Sequence, residues 1–535
     1  MHKRKDVKSM SNVKNKVNDS RELLKKGKRN IIDIIFSRTS FAILALALQV
    51  IVLIFLFLKF GHLLVHYYAT VAILALFMIL YITNSDSDQE TKIMWLAVLL
   101  VLPVTGIFLY FYIKFEIGHR ALKKRIDEVD NESGALLGRS KYMDEFDKEY
   151  PLDAAVGKYL YNTSGFPAYK NCETSYCNIG EIFLERLSGD LRNAKEFIFL
   201  EYFIVEDGKM WGQIENILKE KAAEGVEIKV LYDGTCEFAR LPESYPEYLK
   251  SYGIECRVFS PIKAFVSTHY NFRDHRKIAV IDGNIAYTGG LNLADEYANF
   301  IHPYGHWKDT SLRICGEAVK TYTLMFLQIW QLEDEKRSYD KYLRAPYKTY
   351  NDEKGYVIPY GDCPLDDYYV GEMVYTHILN ISKDYVHIMT PYLIIGNELM
   401  NALKFAALRG VDVSIIMPAV SDHMLAYALA KTDYKQLIES GVKIYEYTPG
   451  FVHAKSFVSD DVRGTVGTIN MDYRSLRHHF ECGAYLCGTS SIKELEDDFN
   501  ETIEKCHLVT LEEAKHIGAK WKIVGCVSKP FASLM

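Results

Sequence analysis

The chain reads His275-x-Lys277-x4-Asp282-x6-Gly289-Gly290-x-Asn292 at one place and His453-x-Lys455-x4-Asp460-x6-Gly467-Thr468-x-Asn470 at another. The spacing is the same in both copies, which argues against a coincidental polar strand end. Such a duplication predicts two half-sites that face each other across a pseudo-twofold axis. In that arrangement one imidazole would attack a phosphorus atom, and the other would protonate the leaving oxygen.

The repeat extends well beyond the two motifs. Short runs rich in β-branched and aromatic residues alternate with segments of helical periodicity, which is typical of βαβ units. This order occurs at 197–205, 210–222 and 226–232, and again at 385–393, 399–408 and 411–417. The pattern predicts an α/β protein of two pseudo-symmetric half-domains with mixed sheets and flanking helices. The charged stretch 333–355 is expected to join them, which gives a first domain over 114–340 and a second over 341–535.

Composition indicates a large folded body with a basic head. The chain is 49% apolar and 25% charged, and its net charge of −6 hides an uneven distribution. Residues 1–40 contain twelve Lys or Arg against four Asp or Glu. A basic segment on an acidic body favours an anionic membrane surface over nucleic acid. The ten cysteines lack the CxxC spacing of metal or redox sites, so we expect reduced thiols that face the cytosol.

Three apolar stretches follow the basic segment, at 41–58, 63–83 and 93–113. Each is close to the roughly 20 residues that span a bilayer as a helix, which predicts a membrane anchor over 41–113 with two or three transmembrane helices. Basic clusters lie on both sides of this region and favour the cytoplasm. Three crossings cannot put both clusters inside, so either one stretch is re-entrant or interfacial, or one cluster is translocated. We expect a membrane hairpin of the second and third stretches, with a cytoplasmic catalytic domain.

The motifs supply groups for phosphate chemistry. His275 and Lys277 are two residues apart on a predicted strand, so their side chains share a face, and the second copy has the same arrangement. Asn292 and Asn470 follow glycines that let the backbone approach a phosphoryl group. Two lysines and two asparagines would stabilise a five-coordinate phosphorus by fixed charge, so we expect neither metal nor cofactor. Asp282 and Asp460 are catalytic candidates, although an acid that ends a strand is as often a turn former.

These motifs and the sequence around them resemble bacterial cardiolipin synthases of the phospholipase D superfamily, over about residues 60 to 510. The segments that carry the resemblance are Phe199-Leu-Glu-Tyr-Phe203, Asp274-His-Arg-Lys277, Gly289-Gly-Leu-Asn-Leu-Ala-Asp-Glu296, His306-Trp-Lys-Asp309, Thr390-Pro-Tyr392, Tyr445-Glu-Tyr447, His453-Ala-Lys455 and Gly467-Thr-Ile-Asn-Met-Asp-Tyr-Arg-Ser475. The resemblance implies two phospholipase D-like half-domains preceded by transmembrane helices, in a multi-pass protein of the bacterial plasma membrane.

The resemblance also implies a reaction. Two phosphatidylglycerol molecules would condense to cardiolipin and glycerol through a covalent phosphohistidine. His275 is then expected to be the nucleophile and His453 the acid and base, although the order could be reversed. The resemblance implies that Asp309 orients His275 and that Glu481 orients His453, with ordinary ion pairing as the alternative. No nucleic-acid partner is expected, and the oligomeric state is left open.

Two other functions remain open at this point. If water instead of a lipid hydroxyl resolved the phosphohistidine, the enzyme would be a phospholipase D, and the outcome depends on how dry the acceptor pocket is. A catalytically inactive membrane scaffold is the alternative of another class, and the intact His, Lys and Asn of both copies argue against it. His478 and His479 precede Glu481 and, if exposed, could tune it with pH, although a role in capping the strand is the simpler interpretation.

Overall fold

Two mixed sheets, one from each half of the chain, form the body of the molecule. The computed structural model describes residues 47–52, 54–55, 58–59, 64–114, 117–261, 272–344 and 346–534. The predicted basic segment 1–40 lies outside the described residues, as does part of the first apolar stretch at 41–58. The ten cysteines are all free thiols.

The strands in chain order are β1 (Tyr169–Lys170), β2 (Glu173–Cys177), β3 (Phe197–Tyr202), β4 (Glu227–Asp233), β5 (Glu255–Phe259), β6 (Arg273–Asp274), β7 (Lys277–Ile281), β8 (Ile285–Gly289), β9 (His306–Lys308), β10 (Ser311–Cys315), β11 (Tyr356–Asp362), β12 (Tyr385–Met389), β13 (Leu393–Ile394), β14 (Asp412–Pro418), β15 (Lys443–Tyr447), β16 (Gly450–Val452), β17 (Ser456–Ser459), β18 (Arg463–Gly467), β19 (Met471–Asp472), β20 (His479–Cys487) and β21 (Cys506–Leu508).

The helices in chain order are α1 (Leu64–Thr83), α2 (Gln89–Val101), α3 (Pro103–Lys114), α4 (Ile117–Ser133), α5 (Met143–Glu149), α6 (Pro151–Ser164), α7 (Gly180–Asn193), α8 (Lys209–Ala223), α9 (Thr235–Ala239), α10 (Tyr245–Lys250), α11 (Val319–Trp330), α12 (Val370–Ile381), α13 (Asn397–Leu408), α14 (Met424–Glu439), α15 (Tyr473–Arg477), α16 (Ser491–Ile503), α17 (Leu511–Lys515) and α18 (Ala519–Ser528). Within the described residues, 3-10 segments occur at Asp295–Ala298 and Lys529–Leu534.

The two large sheets repeat one strand order. The first runs β2-β10-β8-β7-β3-β4-β5, and the second contains β11-β20-β18-β17-β12-β14-β15, with β1 and β21 added at its ends. In each sheet three consecutive strands of the order are parallel, β3-β4-β5 and β12-β14-β15, and the others pair antiparallel. The predicted α/β fold with an internal repeat and mixed sheets is therefore confirmed.

Helix α11 joins the packing of the two halves. It lies against β3 and β7 of the first sheet and β11 of the second. The Phe326 ring stacks on Phe199 with centroids 4.6 Å apart, and the Tyr322 hydroxyl donates to the Gly483 carbonyl at 2.9 Å. All of β3 and β7 is buried, as expected for strands covered on both faces. The halves therefore share one core, which holds their motif-bearing strands in a fixed relation.

The predicted boundary of the first domain differs from the packing. Strand β1 pairs with β11 of the second sheet, and Asp153 in α6 binds the Arg463 guanidinium of β18 at 2.6 Å. Residues 151–170 therefore pack on the second half, although the prediction of 114–340 assigned them to the first. Sequence order misleads here because a segment that precedes a duplicated pair can pack on either copy. The joint at 333–355 contains neither helix nor strand among its described residues.

The apolar N-terminal region forms one long helix and one short hairpin. Val65–Thr83 in α1 is the one helix among the described residues that is long and apolar enough to cross a membrane, with mean hydropathy 2.0. The third stretch, at 93–113, is broken before Pro103 into α2 and α3. The rings of Trp95 and Tyr110 lie 5.0 Å apart, so α3 folds back along α2. The prediction of a single third spanning helix was wrong, because proline interrupts the helix.

The hairpin base meets the body through the C-terminal segment. The Lys114 ammonium donates to the Tyr81 hydroxyl at 2.8 Å, which ties the end of α3 to the end of α1. Ser533 lies 3.8 Å from the Met94 sulfur, and its carbonyl lies 2.9 Å from the His478 Nε2. The last described residues thus lie between the apolar hairpin and the strand that carries Glu481.

Candidate active site

Each motif histidine follows a short parallel strand that pairs with the other half. Strand β6 pairs with β20, and its last pair joins Asp274 to Phe480. Strand β16 pairs with β9, and its last pair joins Val452 to Lys308. The backbone amides of the two histidines continue these ladders, since His275 N donates to the Phe480 carbonyl and His453 N to the Lys308 carbonyl. The next residues in register are His275 with Glu481 and His453 with Asp309.

The side chains meet in the same crossed pairs. His275 Nδ1 lies 2.8 and 3.0 Å from the two Glu481 oxygens, and His453 Nδ1 lies 2.6 Å from Asp309 Oδ2. Buried carboxylates accept hydrogen bonds, so we assign the proton of each ring to Nδ1, which leaves the Nε2 lone pair free. The expected pairing of Asp309 with His275 and of Glu481 with His453 was wrong. Each acid serves the histidine of the opposite half, because β6 and β16 cross between the halves.

The two motif lysines are buried beside the histidines. Lys277 Nζ donates to the His275 carbonyl at 2.6 Å, and Lys455 Nζ donates to the His453 carbonyl and also lies 2.7 Å from His453 Nδ1. Burial lowers the pKa of Lys277 to about 7 and that of Lys455 to about 8, since an ammonium ion loses hydration in a closed site. Nearby carboxylates oppose this shift, and at neutral pH Lys455 keeps most of its charge while Lys277 is close to its midpoint.

The imidazoles share one electrostatic environment. Burial is the main reason why the pKa of His453 falls to about 4 and the pKa of His275 falls well below its ordinary value. Repulsion from Lys277, from Lys455 and from His453 lowers the pKa of His275 further. Groups from both halves therefore act on the same ring, and a phosphate anion bound among them would relieve this repulsion.

The asparagines of the two motifs have different surroundings. Asn292 uses both ends of its amide, because Oδ1 accepts from the Ile204 amide at 2.9 Å and Nδ2 donates to the Tyr297 hydroxyl at 2.8 Å. Asn470 is 6% exposed, and its Oδ1 has no hydrogen-bond partner among the described residues. Asn292 therefore holds the wall of the site, while Asn470 retains a free acceptor.

Asp282 and Asp460 lie at the far ends of their strands. Asp282 accepts from the amides of residues 195–197 at 2.7 to 2.9 Å, and Asp460 accepts from those of residues 383–385 at 2.9 to 3.0 Å. Both adopt positive φ, 50° and 53°. Five strand residues, roughly 16 Å, separate Lys277 from Asp282. This position does not support the predicted catalytic role, because the two carboxylates accept from backbone amides at the start of the neighbouring strands β3 and β12.

Several neighbours of the site escaped the sequence analysis. Thr468 donates its hydroxyl to Glu481, whereas the equivalent Gly290 leaves no room for a side chain, since a Cβ there would lie 2.0 Å from Asp309 Oδ1. Aromatic rings also line both imidazoles. The ring centroid of Phe203 lies 4.9 Å from that of His275, and those of Trp307 and Tyr297 lie 5.4 and 5.5 Å from that of His453. The glycine-to-threonine difference within the motifs was the available signal for the first of these contacts.

His479 is buried beside the first imidazole. It is 8% exposed, its ring centroid lies 5.4 Å from that of His275, and its Nδ1 lies 3.7 Å from Glu481 Oε1. Neither ring nitrogen has a hydrogen-bond partner among the described residues, and burial lowers its pKa to about 3. The alternative of an exposed His479 was wrong: His479 and Glu481 are two residues apart on β20, so both face inward.

Comparison with known families agrees with this geometry. Residues 187–330 and 375–503, about half of the chain, match the family described as cardiolipin synthase, PLD-like domain. The chain belongs to the cardiolipin synthase family. It is accordingly a phosphatidyltransferase of the phospholipase D superfamily, as the resemblance implied. Residues 71–114 match a further family, described as phospholipase D-nuclease N-terminal.

Individual relatives cover most of the chain. The cardiolipin synthase of Halalkalibacterium halodurans is 30% identical over 87% of this chain and 93% of its own length. That of Geobacillus kaustophilus is 32% identical over 86% of this chain and 92% of its own length. Among solved structures, the phosphatidylserine synthase of Haemophilus influenzae matches with a TM-score of 0.56 at 14% identity, over 72% of this chain and all of that one. The last similarity concerns the fold alone.

Proposed function

We propose that this enzyme transfers a phosphatidyl group from one phosphatidylglycerol to another, which gives cardiolipin and glycerol. The observation that carries the proposal is the crossed arrangement of two buried imidazoles. In each, Nδ1 is held by a carboxylate and Nε2 is left free to react, with a lysine beside it. One imidazole as nucleophile and one as proton carrier are the groups that a double displacement at phosphorus requires.

In the first half of the reaction, His275 Nε2 attacks the phosphorus of the donor lipid. His453 is neutral in the free enzyme, and binding of the anionic donor lipid favours uptake of a proton from solvent at its Nε2. As the bond between phosphorus and the glycerol oxygen breaks, His453 gives that proton to the oxygen. Glu481 stabilises the positive charge that develops on the His275 ring as its Nε2 bonds to phosphorus, in the way a buried aspartate supports a serine-protease histidine. The products are a phosphatidyl-histidine on the enzyme and free glycerol.

In the second half, a second phosphatidylglycerol enters where glycerol left. Its terminal hydroxyl gives a proton to His453, and the oxygen attacks the phosphorus as the bond to His275 breaks. Cardiolipin leaves, and both imidazoles return to their starting protonation states. Asp309 stabilises the charged form of His453 between the two steps.

Lysines and asparagines supply the charge stabilisation. Lys277 and Lys455 lie beside the two imidazoles, and Asn470 offers an amide in the same buried region. Fixed positive charge in a site closed to water stabilises the extra negative charge of a five-coordinate phosphorus. We infer that turnover requires neither a metal ion nor an organic cofactor.

Burial and position support a lipid acceptor over water. The two imidazoles and the two lysines are all at least 93% buried, so bulk water has little access to the phosphohistidine. The second half-site also lies close to the apolar N-terminal region, because Tyr473, three residues after Asn470, and Glu90 of α2 both lie within 4 Å of a Cβ placed at Gly396. A lipid hydroxyl delivered along the membrane therefore reaches the site more readily than solvent does.

The anchor is best explained by two crossings and one re-entrant hairpin. Helices α2 and α3 have 13 and 12 residues, roughly 20 and 18 Å, and are too short for a bilayer core of about 30 Å. Leu100 and Val101 at the hairpin tip are 86% and 72% exposed, as expected for lipid-facing side chains. If 41–58 crosses outward and α1 crosses back, both basic clusters and the catalytic domain face the cytoplasm. Reporter fusions ending at residues 61 and 86 test this, since the first should report the outside and the second the cytoplasm.

Product analysis tests the proposed reaction. Purified enzyme in detergent micelles with headgroup-labelled and acyl-labelled phosphatidylglycerol should release labelled glycerol and form acyl-labelled cardiolipin in equal amounts. His275→Asn is the matched control, and it should form neither. Phosphatidic acid in place of cardiolipin would identify a hydrolase, and a folded enzyme without turnover would identify a scaffold.

A further inference from the structure

Three metal-binding side chains converge beside the nucleophile. A nitrogen of His275, a nitrogen of His479 and an oxygen of Glu481 all lie within 4.8 Å of one another, and all three residues are buried. Two imidazoles and one carboxylate make up a ligand set that binds Zn²⁺ in proteins. Zn²⁺ also prefers sites that contain neutral imidazole to sites made only of oxygen ligands.

His479 is the observation that points to a ligand. Its two ring nitrogens are buried without a hydrogen-bond partner among the described residues, although buried polar groups are almost always paired. It lies on the same face of β20 as Glu481 and therefore points at the same space. Leaving such a group unpaired costs free energy, which a bound ligand would recover.

We propose that His275, His479 and Glu481 form an inhibitory Zn²⁺ site. Ligand atoms around tetrahedral zinc lie about 3.3 Å apart. The observed separations from Glu481 Oε1 are 2.8 Å to His275 Nδ1 and 3.7 Å to His479 Nδ1, so small side-chain movements bring the three atoms to that spacing. Three protein ligands leave one position of a tetrahedral ion for a single bound water molecule.

Zinc bound here would stop the reaction by removing the partner of the nucleophile. The ion replaces the Nδ1 proton that His275 shares with Glu481, so the carboxylate no longer supports the imidazole during attack on phosphorus. The two lysines of the same site oppose a dication, so we expect inhibition at micromolar zinc and not the very tight binding of structural zinc. The inhibitory effect rests on the proposed role of His275, whereas binding itself does not.

Binding is tested on the full-length protein in detergent after treatment with a chelator. We compare wild type with His479→Asn, and use His478→Asn as the matched control because its Nε2 contacts the Ser533 carbonyl instead of this cluster. Equilibrium dialysis with ZnCl₂ should give one equivalent less in His479→Asn than in wild type or in His478→Asn. The difference between variants removes any contribution from the ten cysteines. Co²⁺ bound to wild type should show tetrahedral visible absorption.

Inhibition is measured on the same three proteins. His479→Asn should retain basal turnover within about twofold and require at least tenfold more zinc for half inhibition, while His478→Asn behaves as wild type. Equal zinc stoichiometry in all three proteins would overturn the site, and so would unchanged zinc sensitivity in His479→Asn. If His479→Asn does not fold, the Co²⁺ spectrum of wild type decides: no tetrahedral absorption overturns the proposal. A protein without turnover that still binds the extra equivalent would contradict the proposed reaction but leave the zinc site standing.

Discussion

The two half-sites have the same backbone plan and different surroundings. Asp309 and Glu481 occupy equivalent positions in the two sheets. Asp309 lies two residues before Ser311, which pairs with Gly289, and Glu481 lies two residues before Gly483, which pairs with Gly467. Each carboxylate contacts the histidine of the other half. Beyond that the halves differ. Glu481 accepts a hydrogen bond from the Thr468 hydroxyl and has His479 beside it, whereas the equivalent Gly290 leaves no room for a side chain next to Asp309. The two halves thus share the crossing of the strands, while the side chains around the two imidazoles differ.

The largest loss of activity is expected when either of the two imidazoles is removed. His275→Ala and His453→Ala should each lower cardiolipin synthesis by roughly 10⁴-fold or more, because neither displacement step proceeds without both groups. Thermal unfolding should stay near that of wild type, since both rings lie in the site and not in the shared core. Turnover within tenfold of wild type in either variant would remove that half from the mechanism.

The crossed acids provide the next test, with roughly 10²- to 10³-fold losses expected for Glu481→Gln and Asp309→Asn. A phosphatidyl ester of p-nitrophenol distinguishes them, because nitrophenolate leaves without a proton. Asp309→Asn should then release a nitrophenol burst at nearly the wild-type rate, since it impairs only the proton carrier. Glu481→Gln should lose the burst because its nucleophile is no longer supported. The opposite result would make His453 the nucleophile and His275 the proton carrier.

The lysines should set the alkaline limit of activity. A lysine whose pKa is lowered carries its charge below that pKa and is neutral above it. With pKa values of about 7 for Lys277 and about 8 for Lys455, kcat/KM should fall as pH rises through 7 to 8, by up to tenfold per pH unit for each lysine. A profile that stays flat to pH 9.5 would show that the charge of these groups is not required in the free enzyme.

The smallest effect on activity is expected from substitution of the two motif aspartates, Asp282 and Asp460. Asp282→Asn and Asp460→Asn should keep turnover within about twofold and lower the free energy of unfolding by about 1–3 kcal/mol, because each holds three backbone amides. Asp460 also binds Arg463 at 2.8 Å, and its pKa is lowered by the backbone hydrogen bonds despite partial burial. Its contribution is therefore present above its ordinary pKa and is lost as pH falls through the lowered one. Denaturant unfolding at pH 7 and pH 3 measures both effects, and a large loss of turnover would return these residues to the chemistry.

The sequence predicted the backbone of this molecule better than its contacts. Identical motif spacing and the repeated order of strands and helices were enough to predict two related sheets and a shared face for each His-x-Lys pair, since spacing along a strand fixes which side chains share a face. Asp309 and Glu481 came from the resemblance to a known family and not from the spacing. Their partners could not be predicted, because no local pattern indicates that the two-residue strands β6 and β16 pair with the opposite half.

Three other features were missed for identifiable reasons. Asp282 and Asp460 repeat with the motif because each half begins its central strand in the same way, so periodicity alone could not separate a capping role from catalysis. Pro103 within the third apolar stretch was a visible signal that the helix would break. The burial of His479 follows from its place on β20, two residues from Glu481 and on the same inward face. It could be predicted only once Glu481 was known to point inward.

Trapping the covalent intermediate tests the central claim most directly. His453→Asn is mixed with the acyl-labelled p-nitrophenyl phosphatidyl ester, quenched with alkali to preserve phosphohistidine, and digested for mass spectrometry. The account predicts one equivalent of nitrophenol and one phosphatidyl group on His275, stable because no base remains to activate an acceptor. A label on any other residue, or a burst without covalent lipid, would contradict a mechanism in which two halves share one phosphorus atom.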